Sequence, residues 1–479
     1  MRHPRKSVRP IAGAAAAFVV LALLVVLGHV LPLDVDRFRP RFESAASSAL
    51  GMEVRVAGHL RARLGAGVLL SVEDIQILDA RHAVIASVTL ARFWIQPLSL
   101  LRGQLRLRRI ELMRPTVTLE RDGSGRFNVA GLEKSAALTG ALDGARLSLT
   151  GGKFYYADAA SGARLTAEGI GIDIRRLRLA DGTRPLVGTG FALEARLSCA
   201  ALGTQAGTLT DVSAVAVAKG GIIEINQISL RAFDGRGSGT LRADLTGATP
   251  RYDVRCSLAG FRIEQFLATR PGQPPVRGAM DFNVHLAFAG RTRAQLVGTL
   301  TGDASLHGRQ ITLLGDDLDR RFSRFESTQG FNFVDVGAAV LAGPIGLAVT
   351  RGYGILGLFR GAGGNSTIEV LASDWTIADG VARAADVAMA TRRHRLALEG
   401  RLDFVNERFV DVSVATVAPG GCARVRQAMH GSFANPVLEQ PRLLTSLAGP
   451  VLHLYRQVRG LLPERPCTVF YAGSVPPPS

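Results

Sequence analysis

Apolar residues recur at every second position over much of this 479-residue chain, and that period decides what it can fold into. In RYDVRCSLAG, residues 251–260, Tyr252, Val254, Cys256 and Leu258 fall on one side of an extended strand. Arg251, Asp253, Arg255 and Ser257 fall on the other, because successive strand side chains point to opposite faces. DFNVHLAF repeats the pattern with Phe282, Val284, Leu286 and Phe288 opposed by Asp281, Asn283 and His285. RLALEGRLDF sets Leu396, Leu398, Leu402 and Phe404 against Arg395, Glu399, Arg401 and Asp403. MEVRVAGHLRARL, VEDIQIL, SVTLARFWI, GQLRLRRIEL and PTVTLE read the same way. Short runs of this kind, separated by Gly, Asp and Asn, predict antiparallel hairpins with one apolar and one wet face. The 54 glycines and only 6% aromatics supply turns and slim side chains, which also favours a mainly β body.

The amino terminus breaks the pattern. MRHPRKSVRP holds Arg2, Arg5, Lys6 and Arg9, and residues 11–33 carry no formal charge. About twenty apolar residues suffice to cross a bilayer as a helix. A signal peptide normally has a shorter apolar region closely followed by a small-x-small site; the nearest such site, in SAASSA, is remote at residues 44–49. A single uncleaved anchor is expected, with its basic flank in the cytoplasm and everything after about residue 34 across the membrane. RPRFESAASSAL predicts a short helix stopping at Gly51, and PLSLLRG a helical turn. Beyond about residue 140 only strands are expected until RLLTSLAGPVLHLYRQVRGLL, where Leu443, Leu447, Val451, Leu454 and Val458 share a side that Pro450 interrupts. The chain thus divides into a flank and anchor (1–33), an N-terminal region (34–135), a repetitive antiparallel β body (136–365) and a C-terminal region with a terminal helix (366–479).

A net charge of +17 raises the question of nucleic acid. The arginines, however, stand singly on polar strand faces, without interleaved aromatics and with no dense basic block after the first ten residues. No nucleic-acid partner is expected; lipid headgroups and solvent suit the charge better. GYGILG, residues 352–357, has the letters of a dinucleotide loop, but LFRGAGGNST follows where a helix is needed. There is no HExxH, CxxC or G-x-S-x-G, so no metal, cofactor or catalytic residue is expected. Cys199 shares a strand face with Phe191, Leu193, Ala195 and Leu197, and it and Cys256 read as small buried hydrophobes. Cys422 and Cys467 lie in turn-like settings near the C-terminus and are expected to form a disulfide.

The order basic flank, anchor, short helix, GMEVRVAGHLRARL, then IQPLSLLRGQLRLRRIELMRPTVTLERDGSGRFN resembles the N-terminal region of the AsmA family of Gram-negative bacteria. The shared features are Pro-Leu-x-x-Leu before a Gly, an alternating strand, a Pro opening the next strand, and an Asp-Gly turn closing on Asn128. SDWTIADGVARAADVAMATRRHRLALEGRLDFVNERFVDVSVATVAPGG with HGSFANPVLEQP is similar to that family's C-terminal region. The resemblance implies an inner-membrane protein whose β-rich body lies in the periplasm and handles phospholipid in outer-membrane biogenesis. This chain is shorter than the relatives proposed to bridge the periplasm.

The alternation then has a specific use. An elongated, curled antiparallel sheet would form a trough in which acyl chains gain about 0.8 kcal/mol per buried methylene. About 25 strands at ~4.8 Å would extend roughly 120 Å. The expected lining is Tyr252, Val254, Leu258, Phe282, Val284, Leu286, Phe288, Leu396, Leu398 and Phe404. The alternative is a non-catalytic envelope assembly scaffold, in which the same faces pack into β-sandwich cores and the partners are other envelope proteins. A dry core and a lipid trough require the same alternation.

Overall fold

The structure, a computed structural model, describes residues 33–64, 67–96, 106–129, 142–175, 177–179, 191–205, 207–267, 276–315, 317–320, 322–323, 364–439, 442–443 and 467–478. The apolar run up to residue 32, PLSLLRG, GYGILG and most of the C-terminal helical candidate lie outside them. Among the described residues no helix is long and apolar enough to cross a membrane. The chain forms two compact units, Met1–Ile228 and Ser229–Ser479.

In the first unit, β1 (Leu33–Asp34) pairs with β3 (Leu60–Leu64), while β2 (Glu53–Val56) and β3 both pair with β4 (Val68–Leu78). The ladder continues through β5 (Val84–Ile95), β6 (Leu107–Arg121), β7 (Arg146–Asp158), β8 (Arg164–Ile174), β10 (Phe191–Thr204) and β11 (Gly207–Lys219). The short β9 (Arg178–Leu179) flanks the start of β10. One pair departs from the antiparallel expectation, since β6 and β7 run parallel. The chain from 122 to 145 is long enough to carry β7 back to the starting end of β6, which a tight hairpin cannot do.

Helix α1 (Arg39–Leu50) carries Pro40 in its first turn and ends at Gly51, whose φ of 68° suits glycine. Phe42, Ala46 and Leu50, one turn apart, pack on Val54, Val56, Leu60, Val72, Ile75 and Ala91. The helix also satisfies neighbouring strand backbone: Ser47 Oγ accepts from Val54 N–H at 2.8 Å and Glu43 Oε1 from Val56 N–H at 2.7 Å. Asp36 Oδ1 accepts from Leu60 N–H at 2.8 Å, and with His59 and Arg39 this holds its carboxyl down to about 2. A depressed carboxyl stabilises fully above its unfolded value, and the contribution fades as pH falls through the folded one. Amide exchange in α1 should therefore accelerate between about pH 4 and 2, and Asp36→Asn should remove that acid step.

β12 (Ile222–Ala232) spans the division between the units. The second unit is an antiparallel meander: β13 (Gly235–Asp244), β14 (Arg251–Arg262), β16 (Ala279–Ala289), β17 (Thr301–Leu314), β18 (Asn365–Ala378), β19 (Val381–Ala390), β20 (Arg395–Asp403), β21 (Arg408–Val417) and β22 (Ala423–Ser432). The short β15 (Val276–Arg277) pairs with β17, and β23 (Pro436–Leu438) and β24 (Arg442–Leu443) with β22. Two short helices, α2 (Ile263–Leu267) and α3 (Arg293–Gly298), interrupt what reads as strands alone. The signal for α3 was present, because Thr292 and Gln295 form a capping box.

The C-terminal strands bury both faces. One face contributes Leu371, Trp375, Met389, Leu396, Leu398 and Val414 to the main core. The other carries Ala372, Ala388, Ala390 and Ala397, covered by Tyr471 and Val475 of the C-terminal tail. Cys422 is joined to Cys467 by a disulfide, with Cα atoms 6.0 Å apart. Tyr471 donates to Asp386 Oδ1 at 2.6 Å, and Ser474 N–H to Asp386 Oδ2 at 2.8 Å. Burial pushes the Asp386 carboxyl up, but these bonds overcome it and hold it below its ordinary value. Arg395, on the expected wet face of RLALEGRLDF, is instead 5% exposed and donates to the carbonyls of Val475 and Ala418. The tail and the turn after β21 supply the carbonyl acceptors that make this burial tolerable.

Candidate functional site

Register assembles the site. β14 and β16 set Tyr252 opposite Phe288, Val254 opposite Leu286, Cys256 opposite Val284 and Leu258 opposite Phe282, so all eight share one face. The Tyr252 and Phe288 rings stack with centroids 5.2 Å apart. Towards β13, Leu241 lies opposite Val254, and Gly239 and Gly237 opposite Cys256 and Leu258. A bulge between Leu258 and Phe261 keeps Phe261 on the same face, opposite Met280.

The face runs on across β17, where Leu306, Ala304 and Gly302 lie opposite Phe282, Val284 and Leu286. Gly302 has a φ of 138°, and a Cβ there would strike the His285 carbonyl, so only glycine lets β16 and β17 approach. From Gly302 one row passes through Ile377, Ala382, Leu402 and Phe409. From Gly308 another passes through Leu371, Met389 and Leu396. The structure thus brings Tyr252, Val254, Leu258, Phe282, Val284, Leu286, Phe288, Leu396 and Leu398 onto one face. Phe404, just beyond β20, packs against the same core.

Exposure divides this face in two. Leu306, Trp375, Leu396 and Leu398 are 4%, 2%, 0% and 5% exposed, so the face is packed core at those positions. On β14 and β16 the apolar residues from Tyr252 to Leu258 and from Phe282 to Phe288 are all partly exposed. Cys256 belongs to this part-open stretch, and burial still pushes its thiol up. Neither it nor Cys199 is disulfide-bonded, and both are half-buried rather than fully enclosed.

The reverse face is polar and internally paired. His285 lies 3.0 Å from Asp253 Oδ2 and 3.8 Å from Asp303 Oδ1, and Ser257 Oγ donates to Asn283 at 2.7 Å. His307 lies 2.8 Å from Asp374, whose carboxyl burial pushes up. These pairs bridge neighbouring strands and hold the register that keeps the apolar residues together. Leu306, Ala304 and Trp375 add to the face beyond the expected lining, and for the first two the signal is in the sequence, since ASLHG, residues 304–308, alternates as clearly as the stretches beside it.

Fold and site together define a mainly β protein built on open antiparallel sheet, with an apolar face that is part core and part accessible. The model of the AsmA family matches residues 7–177, which supports the assignment of the chain to that family. No curated protein and no solved structure matches the chain.

Proposed function

We propose that residues 11–33 anchor the chain in the inner membrane, that its body lies in the periplasm, and that the apolar face on β14 and β16 holds phospholipid acyl chains during outer-membrane biogenesis. The observation that carries this reading is the change of exposure along one continuous face, from packed core at β18 and β20, and at Phe261 and Met280, to partly exposed between Tyr252 and Leu258 on β14 and between Phe282 and Phe288 on β16. Acyl chains laid on the accessible part displace water at about 0.8 kcal/mol per methylene. The role is one of binding and conduction rather than catalysis.

A photo-crosslinker at Val254, Phe282 or Leu286 should capture phospholipid in living cells, whereas one at Arg251, Asn283 or His285 should not. Equal capture on both faces, read by mass spectrometry of the adducts, would remove the groove. Alkaline phosphatase fused after residue 479 should be active; a stable but silent fusion would reverse the orientation. A second reading, a scaffold for other envelope proteins with closed cores, draws support from the enclosure of Leu396 and Leu398. It expects protein rather than lipid adducts at Val254.

A further inference from the structure

A second feature lies in the first unit, at one end of its sheet. Arg63, Leu69, Trp94, Arg109 and Arg146 are successive register partners across β3, β4, β5, β6 and β7. Directly opposed residues share a face, so the five side chains form one row. The row borders a cavity of about 780 Å³, which Arg108 and Leu64 also line. The Arg109 guanidinium stands 5.2 Å from the Trp94 ring centre and is paired with Glu111, which also takes Arg92 at 3.5 Å. The Glu111 carboxylate is thereby occupied. Among the described residues no ion pair involves Arg63, Arg108 or Arg146, so three arginines without a paired carboxylate line one cavity. A planar guanidinium presents a fork of donors suited to phosphate oxygens.

Two further observations select the form of that phosphate. Leu64 is 49% exposed beside the arginines, and Trp94 is partly exposed, so the rim is amphipathic. Tryptophan is enriched at membrane–water interfaces, where arginine also serves as an anchor. Leu33 pairs antiparallel with Ala62, so the chain enters this sheet at the end marked by Arg63.

We propose that this cavity binds the phosphodiester headgroup of a phospholipid in the membrane that holds residues 11–33. The site is separate from the acyl-binding face of the second unit, and it rests on the anchor reading, which the phosphatase fusion tests on its own. Arg63, Arg108 and Arg146 grip the phosphate, and Trp94 and Leu64 meet the glycerol and first methylenes. Headgroup capture at this end would hold the N-terminal sheet against the bilayer surface.

The test uses the full-length protein in non-ionic detergent, titrated with short-chain phosphatidylglycerol or with inorganic phosphate while tryptophan emission is followed. Phosphatidylglycerol should give a saturable change that Trp94→Phe abolishes. A basic residue near an anionic lipid surface contributes about fivefold in affinity, so joint Arg63→Gln, Arg108→Gln and Arg146→Gln should weaken binding on the order of a hundredfold. Joint Arg236→Gln, Arg277→Gln and Arg309→Gln removes the same charge elsewhere and should leave binding unchanged. Equal loss in both triple variants would reduce the effect to net charge and overturn the site. An identical response to inorganic phosphate at equal concentration would make it a free-anion site and overturn the lipid assignment. If the triple variant fails to fold, Arg146→Gln alone should still weaken binding about fivefold, and no change in it would overturn the site.

Discussion

Leu396→Arg should unfold the second unit, whereas Val254→Arg should leave it folded and block lipid capture. Both residues belong to one apolar face, and only their enclosure differs. Leu396 is 0% exposed and sits opposite Met389 on one side and Thr416 on the other. An arginine there loses about 2 kcal/mol of leucine burial and places an unpaired charge in the core at several kcal/mol more. That is comparable with the roughly 5–15 kcal/mol that holds a whole domain together. Val254 lies between Leu241 and Leu286 on the partly exposed stretch, so a long arginine side chain can lay its stem on the sheet and carry its head to water. Urea unfolding of the full chain, followed by Trp375 emission, separates the two variants. Equal destabilisation would mean that the face is closed along its whole width, and the scaffold reading would replace the groove.

Cys422→Ser should lower the stability of the second unit by about 4 kcal/mol, from the entropy of the 45-residue separation the bond spans. The loss reaches beyond the loop because the tail covers apolar surface. Phe470 and Tyr471 donate their backbone N–H groups to Gly421 O at 2.9 and 3.1 Å, directly beside the bridge. Freed from it, the tail can leave Ala372, Ala388, Ala390 and Ala397 uncovered. Reductant should therefore expose the tail to protease and shift the unfolding midpoint; an unchanged midpoint in reductant would show the bond to be ornamental. Acid acts on the same strap. Asp386 is held below its ordinary value, so its contribution is complete above the unfolded carboxylate range and is lost as pH falls through the folded value.

How much of this was readable depended on what each stretch answers to. The strand from Arg251 to Arg262 faces water on one side, so polarity reports its faces directly. In β4 the same logic fails: Val72 and Ile75 are buried in one cluster although three apart, with Asp74 at a φ of 52° between them, and a second irregularity at Ile77/Leu78 breaks the count again. Alternation cannot show where backbone conformation resets the count. The parallel β6–β7 pair was invisible for a related reason, since strand direction is set by the connection and not by the strand. The burial of Arg395 needed the tail, more than 70 residues on, to be placed first. The apolar face itself was legible residue by residue, but its split into core and accessible stretch was not, because Leu398 and Leu258 have the same side chain and differ only in what covers them.

The meander of the second unit gives it an unusual freedom of growth. Among the described residues, and apart from the short β15, β23 and β24, each long strand from β16 to β22 pairs with the long strands before and after it in the chain. Duplicating one hairpin would insert two strands and widen the sheet by about 10 Å, with every other pairing kept. A gene encoding such a protein can lengthen or shorten its product in fixed increments, much as a ruler is cut at its divisions.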